Sequence, residues 1–314
     1  MTKKIFWYLA ACTALIASGC KKDDSSTSLP SLSGLSISSA PTYVSVGDNL
    51  TFHPSASNVA ASVDKDPGTL GMYWQVNSAK RDTLTKDIKQ SMPDFTYRVD
   101  SLGSYVVYCY VYAENGSYYS ASASASFKAI DPATAITGIA KVNPVTLDGN
   151  TYPSTTAGGK TWLGANLYGT SAGVPYLDCA VMDSVYGRYY TWEEAQTACP
   201  SGWHLPSAEE FDQCLGTDAG ALMVNANFED DNLWEYWPNV TITNSLSFNA
   251  IPAGYTDLNN KGTFSGHKEY ACWWTSTKDE DLGCFRYIYE KQEEIQKGKG
   301  DIKTLALNVR CVKD

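Results

Sequence analysis

Gly103-Ser104-Tyr105-Val106-Val107-Tyr108-Cys109-Tyr110-Val111-Tyr112-Ala113, a Glu114-Asn115-Gly116 break and the run from Ser117 to Ile130 read as two long strands joined by a tight turn. β-Branched and aromatic residues favour extended backbone. The two-residue side-chain period puts Tyr105, Val107, Cys109 and Val111 on one face. An Asn-Gly pair tolerates the positive φ that closes a hairpin. Further back, Met72, Trp74 and Val76 share a face, and Leu35-Ser36-Ile37-Ser38 and Tyr43-Val44-Ser45-Val46 alternate before a Gly47-Asp48-Asn49 turn. Short strands around one tryptophan predict an all-β sandwich over residues 34–130. Cys109 has no partner within that span and reads as a small core residue.

The chain opens with Lys3 and Lys4, an apolar run from Ile5 to Ile16, and Ala17-Ser18-Gly19-Cys20. This is the charge, core and small-residue layout of an export signal over residues 1–19. The run is shorter than the roughly 20 residues a spanning helix needs. A plain secretory signal or an uncleaved anchor is the alternative. The ending resembles a bacterial lipobox, and the following Lys21-Lys22-Asp23-Asp24 is similar to the export tag of Bacteroidota surface lipoproteins. The resemblance implies acylation at Cys20 and a lipid-anchored protein of the outer membrane, exposed at the cell surface. Residues 20–33 are polar and small, a composition that makes a flexible tether. Gly103-x-Tyr105-x-Val107, with Cys109 after it, resembles the late strands of PKD and immunoglobulin-like modules.

With 24 basic and 34 acidic residues the net charge is −10, and no basic stripe is present for a nucleic-acid partner. The lipid is the expected membrane contact. Of nine cysteines, Cys12 falls in the signal and Cys20 takes the lipid, which leaves seven. In an oxidising compartment these are disulfide candidates, and an odd count leaves one unpaired or bridging two molecules. No Cys-x-x-Cys pair occurs and the histidines at 53, 204 and 267 are scattered, so no cofactor or zinc site is expected.

Residues 131–136, beginning Asp131-Pro132-Ala133-Thr134, read as a linker to a second domain over 137–314. Seven of the nine tryptophans lie from Trp162 onward, as in a loop-rich domain packed on large aromatics. Thr191-Trp192-Glu193-Glu194 and Ser207-Ala208-Glu209-Glu210 are capping boxes that start two short helices. Capping accounts for these glutamates without acid–base catalysis. Between the helices runs Cys199-Pro200-Ser201-Gly202-Trp203-His204-Leu205-Pro206.

That stretch joins Lys160-Thr161-Trp162-Leu163-Gly164-Ala165-Asn166-Leu167, Pro252-Ala253-Gly254-Tyr255, Trp273-Trp274-Thr275-Ser276-Thr277 and Asn308-Val309-Arg310-Cys311-Val312 in one order. Together they resemble the Fibrobacter succinogenes major paralogous domain family, found on exported bacterial proteins. The resemblance implies an α+β, C-type-lectin-like domain, a fold shared with formylglycine-generating enzymes. It also implies a long disulfide between Cys199 and Cys311. Cys272 and Cys284 flank two β-like segments around Asp279-Glu280-Asp281, which suggests a bridge across a hairpin. Cys179 with Cys214 is the leftover pairing, and sequence alone does not choose among connectivities.

His204 sits among packing residues and reads as structural. Trp234, Tyr236 and Trp237 are candidates for ligand contact in a loop, with core filling as the competing account. Glu229, Asp230 and Asp231 form an acidic cluster that could hold calcium, against the plainer account of a solvated turn. No lectin calcium triplet is present: Trp237-Pro238-Asn239 places Trp where a carboxylate or amide belongs. The expected function is non-enzymatic: a surface lipoprotein presenting a lectin-like head to a glycan or a surface protein. A structural subunit of a surface assembly is the alternative, and a formylglycine-generating-enzyme-like oxidase the third.

Overall fold

The computed structural model describes residues 31–314 apart from 56–67, 78, 81–84, 87–91, 170, 235–239 and 261–262. Cys20, the signal and most of the tether lie outside the described residues, as do Tyr236 and Trp237. Regular structure is mostly β-sheet, and among the described residues no helix is long and apolar enough to cross a membrane.

Up to Ile130 every described regular element is a strand. The main ones are β1 (Tyr43–Ser45), β2 (Asn49–Phe52), β3 (Leu70–Val76), β4 (Phe95–Arg98), β5 (Gly103–Ala113) and β6 (Ala121–Ile130). One sheet has the order β1-β6-β5-β3, with β1 parallel to β6 and the other pairs antiparallel. β2 and β4 pair separately, Leu50 opposite Tyr97. Residues of both sheets share one core: Phe52 and Phe95 from one side, Trp74, Tyr105, Val107, Cys109 and Phe127 from the other. Burial along β5 alternates as the pattern of Gly103 to Ala113 requires. Trp74 stacks on Phe95 at 5.1 Å and Tyr105 on Phe127 at 4.9 Å. The Tyr105 hydroxyl donates to the Ser101 carbonyl at 2.8 Å, tying the start of β5 to the turn before it. Cys109 is buried, and desolvation pushes its thiol up to about 12.

The expected linker is a built turn. Asp131 Oδ1 accepts from the Ala133 N–H at 3.0 Å, and its carbonyl accepts from the Ala135 N–H at 2.8 Å. Ile130 and Ala135 are buried in a core that also holds Cys179, Met182, Tyr186, Tyr189 and Ile251. Tyr43 of β1 meets Phe228 edge-on at 5.8 Å, and Lys128 of β6 pairs with Glu229. Side chains from both sides of residue 131 therefore fill one core.

Beyond the turn, β7 (Ser154–Ala157) and β8 (Lys160–Leu163) form a hairpin closed by Gly158 and Gly159, both at positive φ. A Cβ on Gly158 would lie 2.4 Å from Cys214 Cα, so the turn also needs glycine for close packing. α1 (Trp192–Ala198) and α2 (Ala208–Leu215) each start with a complete capping box, Thr191 with Glu194 and Ser207 with Glu210. Between them lies β9 (Trp203–His204). β10 (Tyr270–Asp279), β11 (Leu282–Tyr289) and β12 (Gln296–Asp301) form an antiparallel sheet. α2 is fastened to β11 by buried Arg286, whose Nε and Nη2 donate to Asp212 at 2.6 and 2.9 Å. The last strand, β13 (Val312–Lys313), lies between β8 and β9.

The β10–β11 hairpin separates two cores. Ala271, Trp273 and Ile288 pack with Trp162, Phe211 and Phe248, while Cys272 and Trp274 pack with Leu163, Trp203, Leu307 and Cys311. This corrects the Cys272–Cys284 expectation. Cys272 faces Tyr287 across the hairpin, and Cys284 has the opposite side-chain parity, so the two thiols leave opposite faces of one ladder. Both are free, as are Cys179 and Cys214, so the leftover pairing does not form either. Cys199 and Cys311 are bonded, joining the end of α1 to the residue before β13 with Cα atoms 5.8 Å apart.

An ion network sits beside that bridge. Glu210 accepts from Lys160 Nζ at 2.5 Å and lies 3.0 Å from His204 Nε2, while His204 Nδ1 lies 2.6 Å from Asp314. Burial raises the Glu210 carboxyl, but the hydrogen bonds from Lys160 and His204 outweigh it and hold the group below its ordinary value. His204 is thus satisfied as a link between β9, α2 and the residue after β13.

Two outcomes follow for stability. Closing a loop with a sequence separation of 112 stabilises by about 4–5 kcal/mol on chain-entropy grounds, so Cys199→Ser with Cys311→Ser should lower the urea midpoint accordingly. A midpoint unchanged by the double substitution or by reductant would contradict it. A depressed Glu210 stabilises the fold above its unfolded value, and that contribution disappears as pH falls through the folded value. Glu210→Gln should therefore cost about 1 kcal/mol at pH 7 and distinctly less at a pH below the ordinary carboxylate value. Equal losses at both pH values would mean that the carboxylate charge is not what matters.

Candidate functional site

Arg310 enters the interior from the segment between Asn308 and Cys311 and is 1% exposed. Its Nε donates to Asn166 Oδ1 at 2.8 Å, Nη1 to the Leu163 and Phe248 carbonyls at 3.0 and 2.5 Å, and Nη2 to the Asn249 carbonyl at 3.0 Å. All four acceptors are neutral. Desolvation pulls Arg310 down to about 9, so it still carries its charge at neutral pH. The guanidinium lies 4.3 Å from the Phe248 ring centroid and 5.9 Å from that of Trp273, and both ring faces favour a cation. Asn166 also accepts from Trp273 Nε1 at 2.9 Å and donates to the Tyr186 carbonyl at 2.9 Å. Asn249 exchanges hydrogen bonds with both the N–H and the carbonyl of Ala140, at 3.0 and 2.9 Å.

These three side chains contribute to the lining of a cleft of ≈ 360 Å³. Its lining combines residues of the segment from Pro132 to Pro144 with Ala165, Tyr168, Val185 and Ile251. Pockets of this size suit small ligands.

A second feature lies on the β10–β11 hairpin. Tyr270, Tyr287 and Tyr289, with neighbouring Tyr255, are half-buried and lie beside one another. Tyr270 stacks on Tyr289 at 4.7 Å, lies 6.1 Å from Tyr287 and meets Tyr255 edge-on at 6.4 Å. Lys291 Nζ lies 5.4 Å from the Tyr289 ring. Burial, then nearby tyrosine and carboxylate groups, raises the Tyr270 hydroxyl, which stays protonated at neutral pH. The alternation Phe285-Arg286-Tyr287-Ile288-Tyr289 carried this face in the sequence, and the sequence reading passed over it in favour of the tryptophans.

A third group surrounds His267, whose ring lies 4.9 Å from those of both Tyr176 and Tyr186. Burial, with Lys268 adding to it, takes His267 down to about 4 and keeps the ring neutral. Just before Tyr186 in the chain, Asp183 Oδ2 accepts from Arg188 Nη1 at 3.0 Å, and burial raises that carboxyl against the pull of Arg188.

The expected site residues fall differently. Trp234 is 1% exposed in the core with Trp162 and Phe248, so it is not a ligand contact. Val240 is buried in the same core as Trp234, while Leu233 enters a different one. Glu229 and Asp231 are each taken up by a lysine, Lys128 and Lys268 respectively, the latter at 2.5 Å. Asp230 lines a separate surface depression with Glu229 and Lys128. Among the described residues no group of three or more His, Cys, Asp or Glu side chains is placed to hold a metal.

No curated protein matches the chain. Among solved structures it is similar to the PKD domain from human VPS10 domain-containing receptor SorCS2, at 16% identity and a TM-score of 0.25, over 38% of this chain and 96% of that one. It is also similar to a quinonprotein alcohol dehydrogenase-like protein from Bacteroides thetaiotaomicron VPI-5482, at 15% identity and a TM-score of 0.20, over 83% of this chain and 47% of that one. Likenesses this weak say nothing about activity. The family comparison is firmer: residues 155–313, from the β7–β8 hairpin through Arg310 and the Cys199–Cys311 bridge, match the Fibrobacter succinogenes major domain, and the chain belongs to that family.

Proposed function

We propose that the protein is a non-enzymatic recognition protein of the cell surface. In this reading Cys20 carries a lipid in the outer membrane, residues 21–33 are a tether, an Ig/PKD-like sandwich is the spacer, and a C-type-lectin-like head binds a glycan or a surface protein. The tyrosine face carries the proposal. Three half-buried tyrosines of the hairpin, with neighbouring Tyr255, have their rings held by packing while part of each stays in water. Such rings stack on sugar faces or anchor protein contacts at small entropic cost. The bridge from the end of α1 to Cys311 supports the lectin-like reading of the head. The shared core around Ile130 and Tyr43 would present the head at a fixed attitude on the sandwich.

The oxidase reading fares worse, since Cys272 and Cys284 leave opposite faces of one hairpin and both are buried. The assembly reading has one supporting observation: of the described free cysteines, Cys214 alone is partly exposed. Burial and then Glu210 raise its thiol, which disfavours the thiolate that disulfide exchange needs. A disulfide dimer on non-reducing gels, lost in Cys214→Ser, would reinstate that reading.

The binding test is a glycan array and a surface pull-down with the purified protein, repeated with Tyr270→Ala and Tyr289→Ala. Each substitution should weaken binding by roughly tenfold or more and leave the melting temperature within a few degrees of the parent. Binding that survives both substitutions would remove the tyrosine face from consideration.

A further inference from the structure

The cleft beside Arg310 is independent of the tyrosine face and shares no residue with it. Its charge is unusual for this chain. Acidic residues outnumber basic ones by 34 to 24, yet the lining includes Arg310 and Lys141 and no aspartate or glutamate. Its apolar surface comes from Ile136, Ile139, Val185 and Ile251, together with Pro144 and Pro153.

Arg310 brings five N–H donors into this wall, and protein acceptors take four of them. All four acceptors are neutral amide or backbone oxygens, and none of them is a carboxylate. A buried cation without a counter-charge is costly, and a charge-assisted bond to an anion offsets that cost. The Pro132–Pro144 part of the lining is fixed in place. Asn249 grips Ala140 on both its N–H and its carbonyl, and the Asp131 turn holds Ala133 at the other end. A pre-formed wall spares a ligand the entropy of ordering it.

We propose that this cleft binds a small carboxylate with an apolar body, its charge directed at Arg310 and Lys141 and its apolar part against Ile136, Ile139 and Ile251. The volume of ≈ 360 Å³ sets the scale at one ring or a short branched chain.

Calorimetric titration and thermal shift of the full chain with benzoate and cyclohexanecarboxylate, each beside its own amide, test this directly. The carboxylates should bind saturably and raise the melting temperature, and the amides should bind at least tenfold more weakly. Substituting Arg310 would unfold the head, so the informative variants lie at the rim. Lys141→Met should weaken carboxylate binding roughly threefold to tenfold. Ala133→Trp, which fills the mouth from an exposed position, should abolish binding while the parent melting temperature is kept. The proposal is overturned if amides bind as well as acids, if no acid saturates, or if Ala133→Trp binds like the parent.

Discussion

One buried guanidinium holds the family domain together. Arg310 donates to backbone carbonyls of the β8 end and of the Phe248-Asn249 segment, and to Asn166, which in turn takes the Trp273 indole N–H. The β8 end and Asn166 adjoin in sequence, but Phe248-Asn249 and Trp273 lie far from them along the chain. The bonded carbonyls would be orphaned inside the protein without a donor, and each orphan costs about 1–3 kcal/mol. Arginine suits this place because its planar fork serves several acceptors at once. The charge is tolerated because its acceptors are many and two aromatic faces lie alongside. Asparagines at 166, 249 and 308 extend the same device, donating to the backbone carbonyls of Tyr186, Ala140 and Arg188.

Around that centre the β10–β11 hairpin acts as a partition. Its odd and even positions feed different cores, and tryptophans 273 and 274 face opposite ways, with indole N–H groups satisfied by Asn166 and by the Tyr190 carbonyl. The long disulfide and the Lys160–Glu210–His204–Asp314 network then pin the final strand between β8 and β9. The rest of the hairpin is free to present side chains outward, and its tyrosines do so.

Local chemistry was the legible part. Both capping boxes form at Thr191 and Ser207 because they depend on residues a few positions apart, whereas the long hairpin closes through residues 114–120 and its second strand starts at Ala121 rather than Ser117. The ordered motifs identified the family over residues 155–313. What was missed depends on side-chain direction. The parity that separates Cys272 from Cys284 needs the register of the hairpin and the bulge between Trp274 and Lys278, neither of which is written in the residue types. For Trp234 the sequence leaves ligand contact and core filling both open, and the fold places it in the core. Arg310 was seen as part of a motif, but its set of neutral acceptors appears only once the chain is folded. The Asp131 turn reads in sequence as a linker, and Ile130 and Ala135 make it part of a core.

The central claim is that Arg310 stays bonded inside the head for as long as the head is folded. Hydrogen exchange of the arginine Nε–H groups, followed by nitrogen-15 NMR across a urea series, tests it most directly. The account predicts that the Arg310 Nε–H exchanges only through global unfolding, with the urea dependence of the slowest backbone amides. Exchange as fast as that of exposed Arg98, independent of urea, would show that the guanidinium is not the centre on which the domain depends.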